Sequence, residues 1–572
     1  MTVLHDALPL PCGQVLPNRL MKSALSEGLG TTGHGPDQRL ERLYTRWGAG
    51  GYGLVVTGNV MVDRRHLGEP GNVVIEDERD LDGLTRWAKT TQDGGVPIWM
   101  QLNHPGRQAN PLATRDKPVA PSAVGLNVPG APAPRELTDA EIEDVIDRFA
   151  IAARVAETAG FNGVQVHGAH GYLVSQFLSP RVNKRTDRWG GDPERRMRFV
   201  LEVVRRIRAE VTPGFAVGIK LNSADFQRGG FTEAESRSVV EQLACERIDL
   251  IEISGGSYES PAMMGRPVSK STSTRAREAY FLEYAQSVRD VARNVPLAVT
   301  GGFRSHSAMV EAVVTGACDV VGLGRPTTLA PTAASDILTE RRTALHTPHI
   351  SLSLPERVSA MASVKSVNGA LDLQWHTDQL HRMGAGAEPD PDRTPWLTAA
   401  TMFKRNGVDA FRSKRSSTVT QNGKSHKKDS TLRKFKFERA VGRYVANPAV
   451  RALDRIGIQT SLATELETIG RKTGQARRVP VSASFDAAGA WVISQHGTRS
   501  GWGINIGANP QVRIRQGDRW RTGTAVFQHD DDVVVRAQTF SSNPILGRLS
   551  AATFRALQST PISVRITFTD NS

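Results

Sequence analysis

His167 and His170 stand three residues apart in the stretch HGAHGYLVSQFLSP, and Tyr172 follows two residues later, all directly behind the apolar run GVQV. Three readings of this group are open. A metal centre would need a third or fourth ligand, and neither a second histidine pair nor an HExxH pattern accompanies it. Loop histidines satisfied by local hydrogen bonds are a second reading. In the third, two neutral imidazoles donate to an oxygen that gains negative charge, which is effective in a dry site, and the tyrosine supplies a proton.

The elements that would have to position these residues are legible upstream and downstream. Between residues 20 and 325, eight β-type runs alternate with amphipathic helical stretches: RLMKSAL, GYGLVVTGN, VPIWMQL, FNGVQVH, FAVGIKL, IDLIEIS, VPLAVTG and CDVVGLG. One helical stretch opens at Thr138 with Glu141 three residues on, a capping-box pattern. Strict alternation predicts a parallel sheet, and near-continuous apolar runs predict strands buried on both faces. The repeat number fits an α/β fold of the closed (β/α)8 TIM barrel type, with an open doubly wound sheet as the alternative. In such a barrel the site lies at the C-terminal ends of the strands, where His167, His170 and Tyr172 follow the fourth run. Glycine turns after the last two runs, TGGFR and GLGRP, suit a phosphate through Gly302, Gly324 and Arg325.

At 572 residues the chain is expected to hold more than one domain. Its three cysteines, Cys12, Cys245 and Cys318, are too few for a disulfide framework or a four-cysteine iron–sulfur cluster. The N-terminus MTVLHDALPLPCGQ lacks a basic start followed by an apolar stretch, so a cytoplasmic location is expected. Of the net charge of +14, residues 404–439 carry +9, from twelve Lys/Arg against three Asp/Glu. This segment reads as a linker (401–439) between a first domain (1–400) and a second (440–572). It is a solvated tether, or, with Phe435, Phe437 and Tyr444, a peripheral membrane contact through residues 404–445; nucleic-acid binding is the weakest of the three readings.

The motifs LPNRLMKSALSE, GGYGLVVTGN, QLNHPGRQA, HGAHGYLVSQFLSPRVNKRTDRWGG, IKLNSADF, TGGFRS and VGLGRP follow in an order and spacing that resembles the old yellow enzyme family of FMN-dependent ene reductases. The resemblance implies FMN as cofactor and NAD(P)H as donor. It gives His167 and His170 the role of holding the substrate's activating oxygen and gives Tyr172 that of proton donor. Flavin contacts are implied for Ser23, Ala24, Asn59 and Gln101. Ser26 stands where the family carries a Thr or Cys that tunes the flavin by hydrogen bonding. Lys220 stands where an arginine is frequent, as a point charge without the bidentate fork. The stretch LQWHTDQLHRMGAGAEPDPD (373–392) resembles the tail of simpler barrel members, and packing on the barrel or covering the site are both open.

Beyond the linker, short alternating runs predict a small antiparallel domain. GRKTGQARRVPV sets Arg471, Lys472, Arg477 and Arg478 around a Thr–Gly turn, a cationic, amide-rich tip for an anion or a solvated basic loop. Together with GWGINIGANPQVRI it resembles the deazaflavin-dependent nitroreductase family of split β-barrels. That resemblance implies that the basic residues hold an F-420-type cofactor and that Trp502 and Asn505 lie near its ring. The expected whole is an FMN-dependent oxidoreductase acting on activated alkenes, quinones or nitro compounds, with a deazaflavin-binding C-terminal domain. The alternative is an NAD(P)H-driven flavin reductase with a non-catalytic binding or anchoring module.

Overall fold

The alternating runs form, in the computed structural model, a closed parallel barrel. The structure describes residues 3–110, 113–114, 116–126, 132–255, 281–351, 362–403, 405, 464–471, 473–494, 497–539 and 562–569. The barrel strands are β1 (Leu20–Lys22), β2 (Leu54–Met61), β3 (Ile98–Asn103), β4 (Gly163–Gly168), β5 (Ala216–Asn222), β6 (Leu250–Ser254), β7 (Leu297–Thr300) and β8 (Val320–Leu323). Each pairs in parallel with the next, and β8 pairs with β1 to close the ring. The open doubly wound sheet is therefore excluded.

Helices cover the outside. Among them are α1 (Gln38–Gly48), α2 (Leu81–Gln92), α3 (Asp139–Thr158), the short α4 (Leu173–Leu178) and α5 (Pro193–Glu210). The Thr138–Glu141 capping box at the start of α3 is formed in both directions, which satisfies two otherwise orphaned donors.

Side chains alternate along each strand, so every second residue enters the barrel. Toward the strand starts these are apolar: Met21, Leu54, Val56, Trp99, Ala216, Leu250, Ala298 and Val320 form one buried cluster, with Leu8, Leu10 and Leu16 of an N-terminal hairpin packed against it. Toward the strand ends they become polar: Ser23, Gln101, Gln165, His167, Lys220 and Glu252 are all buried. The sequence thus builds a barrel dry at the bottom and hydrogen-bonding at the top.

The segment around 373–392 is largely the helix α6 (Ala362–Gly384). Its Trp375, Leu380 and Met383 are buried, and its His381 Nε2 hydrogen-bonds the Glu27 carbonyl at 2.8 Å. Of the two open readings, packing on the barrel is the one observed.

The chain divides into two compact units, Met1–Thr420 and Gln421–Ser572. In the second, β9 (Thr464–Ile469), β10 (Ala476–Val481), β11 (Ala483–Asp486), β12 (Gly489–Ser494), β13 (Gln511–Gln516), β14 (Arg519–Gln528) and β15 (Ile562–Phe568) form an antiparallel sheet in the order β10-β9-β13-β14-β15-β12-β11. Its core is Leu466, Val492, Ile506, Ile514, Val564 and Ile566 among others. Apart from Thr401–Phe403 and Arg405, the linker expected at 401–439 lies outside the described residues, as does the rest of the membrane-contact stretch to 445. Among the described residues no helix is long and apolar enough to cross a membrane.

Candidate functional site

β4 ends in His167, and the chain then turns sharply. His170 adopts a left-handed backbone with φ of 61°, a costly conformation for a residue with a side chain and a frequent mark of functional loops. Its N–H donates to Asn222 Oδ1 (3.2 Å) and its carbonyl accepts from Gln108 Nε2 (2.9 Å), so both neighbours hold the turn. Tyr172 then caps α4. The three rings converge: His167 and His170 have centroids 5.0 Å apart, and His167 and Tyr172 4.8 Å, both edge-on.

The protonation states follow from the surroundings. Burial, then the charge of Lys220, lowers His170 to about 3. Burial, His170 and Lys220 push His167 well below the usual histidine range. Both rings are therefore neutral near pH 7. The Ala169 N–H donates to His167 Nδ1 at 3.3 Å, so the ring proton sits on Nε2, which becomes a hydrogen-bond donor. His170 differs, because its Nε2 shares a 3.0 Å hydrogen bond with Ser254 Oγ.

The other barrel residues fall into two groups. Gln101, Lys220 and Ser23 lie inside the barrel top: Gln101 Nε2 donates to Gln165 Oε1 (2.7 Å), Lys220 pairs with Glu252 (2.9 Å), and Ser23 Oγ meets Thr300 Oγ1 (2.7 Å). Asn59 sits opposite Gln101 beyond a bulge in β2, its buried Oδ1 lacking a partner among the described residues. Ala24, half-buried, follows Ser23 at the end of β1. Ser26 is engaged elsewhere, its hydroxyl donating to Glu69 Oε1.

At the last two strands, Gly302 has φ of 94°, Gly324 caps a turn at Arg325–Thr328, and Arg325 pairs with Asp372 of α6 at 3.1 Å. α6 also brings His376 to this turn, its Nδ1 2.8 Å from Thr328 Oγ1. Burial and the charges of Arg325 and Arg304 lower His376 to about 3. Nothing in the sequence marks His376, since its place depends on a helix docking from about 50 residues downstream.

These positions fit a flavin mononucleotide. Asn59 Oδ1 is a buried acceptor awaiting a donor. At Gly322 a Cβ would lie 1.8 Å from Thr300 Oγ1 and 2.6 Å from Ser23 Oγ, so only glycine keeps that polar cradle open.

Asp63, His66 and His104 bring potential metal-ligand atoms within 4.8 Å of one another. The hydrogen bonds oppose a cation there. The Gly106 N–H donates to His104 Nδ1 (3.1 Å), which leaves the proton on Nε2, and Arg65 holds both oxygens of Asp63 (2.9 and 2.8 Å).

In the second unit, β9 and β10 form a hairpin whose tip carries the predicted basic turn, with Gly474 at φ 66°. Arg471, Arg477, Arg478, Trp502 and Asn505 line one cavity of about 520 Å³. Lys472 lies outside the described residues. Trp502 and Asn505 share a face of the helix α7 (Gly501–Ala508), and Asn505 ties that helix to the hairpin through Thr468 Oγ1 (3.1 Å) and the Arg471 N–H (3.4 Å). Arg478 donates to Glu467 (2.8 Å), a carboxylate it shares with Arg513 (3.3 Å); Arg471, Arg477 and Arg478 are all exposed.

Residues 9–343 match the family described as NADH:flavin oxidoreductase / NADH oxidase, and residues 444–558 match a family of quinone reductases dependent on the reduced coenzyme F-420. The chain is 40% identical over 354 residues to an NADH-dependent flavin oxidoreductase, iliE, of Hypocrea jecorina, covering 58% of this chain and 88% of that one. It is 36% identical over 415 residues to the NADH-dependent flavin oxidoreductase iccE of Talaromyces variabilis, covering 66% and 98%. Among solved structures, a 2-naphthoyl-CoA reductase superposes with a TM-score of 0.55 at 26% identity, covering 60% of this chain and 53% of that chain. An old yellow enzyme homologue from Zymomonas mobilis does so with 0.51 at 23% identity, covering 60% and 94%, a likeness of fold.

Proposed function

From the premise that this chain belongs to the NADH:flavin oxidoreductase / NADH oxidase family and is an oxidoreductase, we propose that its barrel is an FMN-dependent ene reductase acting on activated alkenes, quinones or nitro compounds. The observation that carries the reading is the convergence of two neutral imidazoles and a phenol at the end of β4. Ser23, Ala24, Asn59, Gln101 and Lys220 would hold the ring system, and Gly302, Gly324 and Arg325 the phosphate. When bound, FMN would supply the hydride. His167 donates from Nε2 to the substrate's carbonyl or nitro oxygen and polarises the adjoining double bond. His170 completes the pair by exchanging its Ser254 contact for the same oxygen. Tyr172 would give a proton to the carbon beside the activating group.

The second unit is assigned the binding of a deazaflavin or similar anionic cofactor. The exposed cations Arg471 and Arg477 would hold its phosphate and acidic tail, and Trp502 and Asn505 would lie near its ring.

The test is the absorption spectrum of the purified protein, with released cofactors identified by mass and enone reduction followed under NADH. A yellow protein that releases FMN and consumes enone supports the reading. Colourless protein that takes up no flavin overturns it.

A further inference from the structure

We propose that Glu252 is a positioning residue that sets the hydrogen-bond polarity and the charge of the barrel top, turning the Gln101 carbonyl oxygen outward and neutralising Lys220. The proposal rests on the reading of the barrel top as the flavin site.

Glu252 sits on β6 inside the barrel and is fully buried. One of its oxygens lies 2.9 Å from Lys220 Nζ, itself buried on the neighbouring strand β5 in register with it. The other accepts from Gln165 Nε2 at 2.7 Å, reaching past β5 to β4. A carboxylate can only accept, so Gln165 must turn its NH2 group toward Glu252 and its carbonyl oxygen away. That oxygen is 2.7 Å from the Gln101 amide, and it too can only accept. Gln101 must therefore give its NH2 group to Gln165, which leaves Gln101 Oε1 as the acceptor at the open end. Amide orientation is normally ambiguous, and here one buried charge settles it for two glutamines in succession. The Thr57 hydroxyl holds the Gln101 backbone N–H (2.9 Å), so the residue is anchored at both ends.

The same carboxylate acts on charge. A lone buried Lys220 would favour an electron-rich ring above it, whereas the Lys220–Glu252 pair is neutral overall. Glu252 thus lowers the preference of the barrel top for the reduced cofactor while keeping a donor at Lys220. A buried chain of this kind, in which Glu252 Oε1 has only the charge of Lys220 to match it, is sensitive to the loss of any one member.

The experiment titrates the full-length protein, stripped of flavin, with oxidised FMN and with anaerobically reduced FMN. Glu252→Gln is expected to shift the ratio of the two dissociation constants at least tenfold toward the reduced form. Lys220→Met combined with Glu252→Gln, neutral again, is expected to return the ratio to within twofold of the unaltered protein while binding oxidised FMN several-fold more weakly, because the Lys220 donor is lost and no carboxylate orients the amides. The double variant also carries the test if the single one does not fold. An unchanged ratio and unchanged oxidised affinity in folded Glu252→Gln, or in the double variant an unchanged oxidised affinity, overturns the proposal. If the unaltered protein binds no FMN, the flavin reading itself falls.

Discussion

Ser26 illustrates how a residue can occupy an expected position and still have a different partner. Its hydroxyl donates to Glu69, a carboxyl raised to about 7 by burial first and by Glu27 second, with Arg405 and a hydrogen bond from Asn72 opposing. Below pH 7 Glu69 is protonated and can itself donate; above it, the carboxylate draws the Ser26 hydroxyl to itself. We expect the rate of flavin reduction to show an inflection near pH 7 that Glu69→Gln removes. Stability should move the same way: the native protein keeps a proton the unfolded chain releases near pH 4.5, so the stabilisation present below that pH is lost as pH rises to about 7. An unchanged pH profile in Glu69→Gln would contradict this. The two histidines should likewise differ. His167 Nε2 is a donor held in readiness, while His170 must first leave Ser254. A phenol ligand should bind roughly fivefold to tenfold more weakly to His167→Ala, a hydrogen bond being worth about 1 kcal/mol net, and His170→Ala should lose less. The His167, His170 and Tyr172 cluster was legible because local spacing sets it. The Ser26–Glu69 contact was not, because it joins residues 43 apart through a loop whose path no short-range rule fixes.

The strands were the most legible elements, since each of the eight apolar runs in the first unit overlaps one barrel strand. Near-continuous apolar runs alternating with amphipathic helices suit a parallel sheet covered on both faces. The Glu in IDLIEIS broke that pattern without announcing its purpose, because its partners Lys220 and Gln165 lie on other strands. In the second unit β15 went unread, as it follows a long interval and pairs with β12 and β14, far from it in sequence. The β9–β10 hairpin was read from its Thr–Gly turn, but the pairing of Arg478 with Glu467 was not, because it depends on strand register. Removing Arg471 or Arg477 should weaken deazaflavin binding about tenfold and reduce its salt dependence, by analogy with other exposed phosphate contacts. Arg478→Ala, which instead leaves the buried Glu467 with Arg513 as its remaining cation, should cost mainly thermal stability. Equal losses of affinity in isothermal titration for all three would contradict the assignment.

The molecule as a whole joins two families of redox domain in one chain. A covalent tether holds two units at high effective concentration without any new contact. If reduced deazaflavin at the second unit serves the barrel, full-length protein should reduce enone with that donor faster than an equimolar mixture of the separately expressed units, and the advantage should shrink as protein concentration rises. Equal rates at low concentration would show that the units act independently, leaving NADH as the barrel's donor.

The most direct measurement of the central claim is a pair of anaerobic stopped-flow half-reactions on Tyr172→Phe. The placement of the phenol beside His167 (4.8 Å between ring centroids) predicts flavin reduction by NADH within twofold of the unaltered protein and alkene reduction slowed by a factor of order one hundred or more, as expected for loss of a general acid. Equal slowing of both half-reactions, or of neither, would contradict the account.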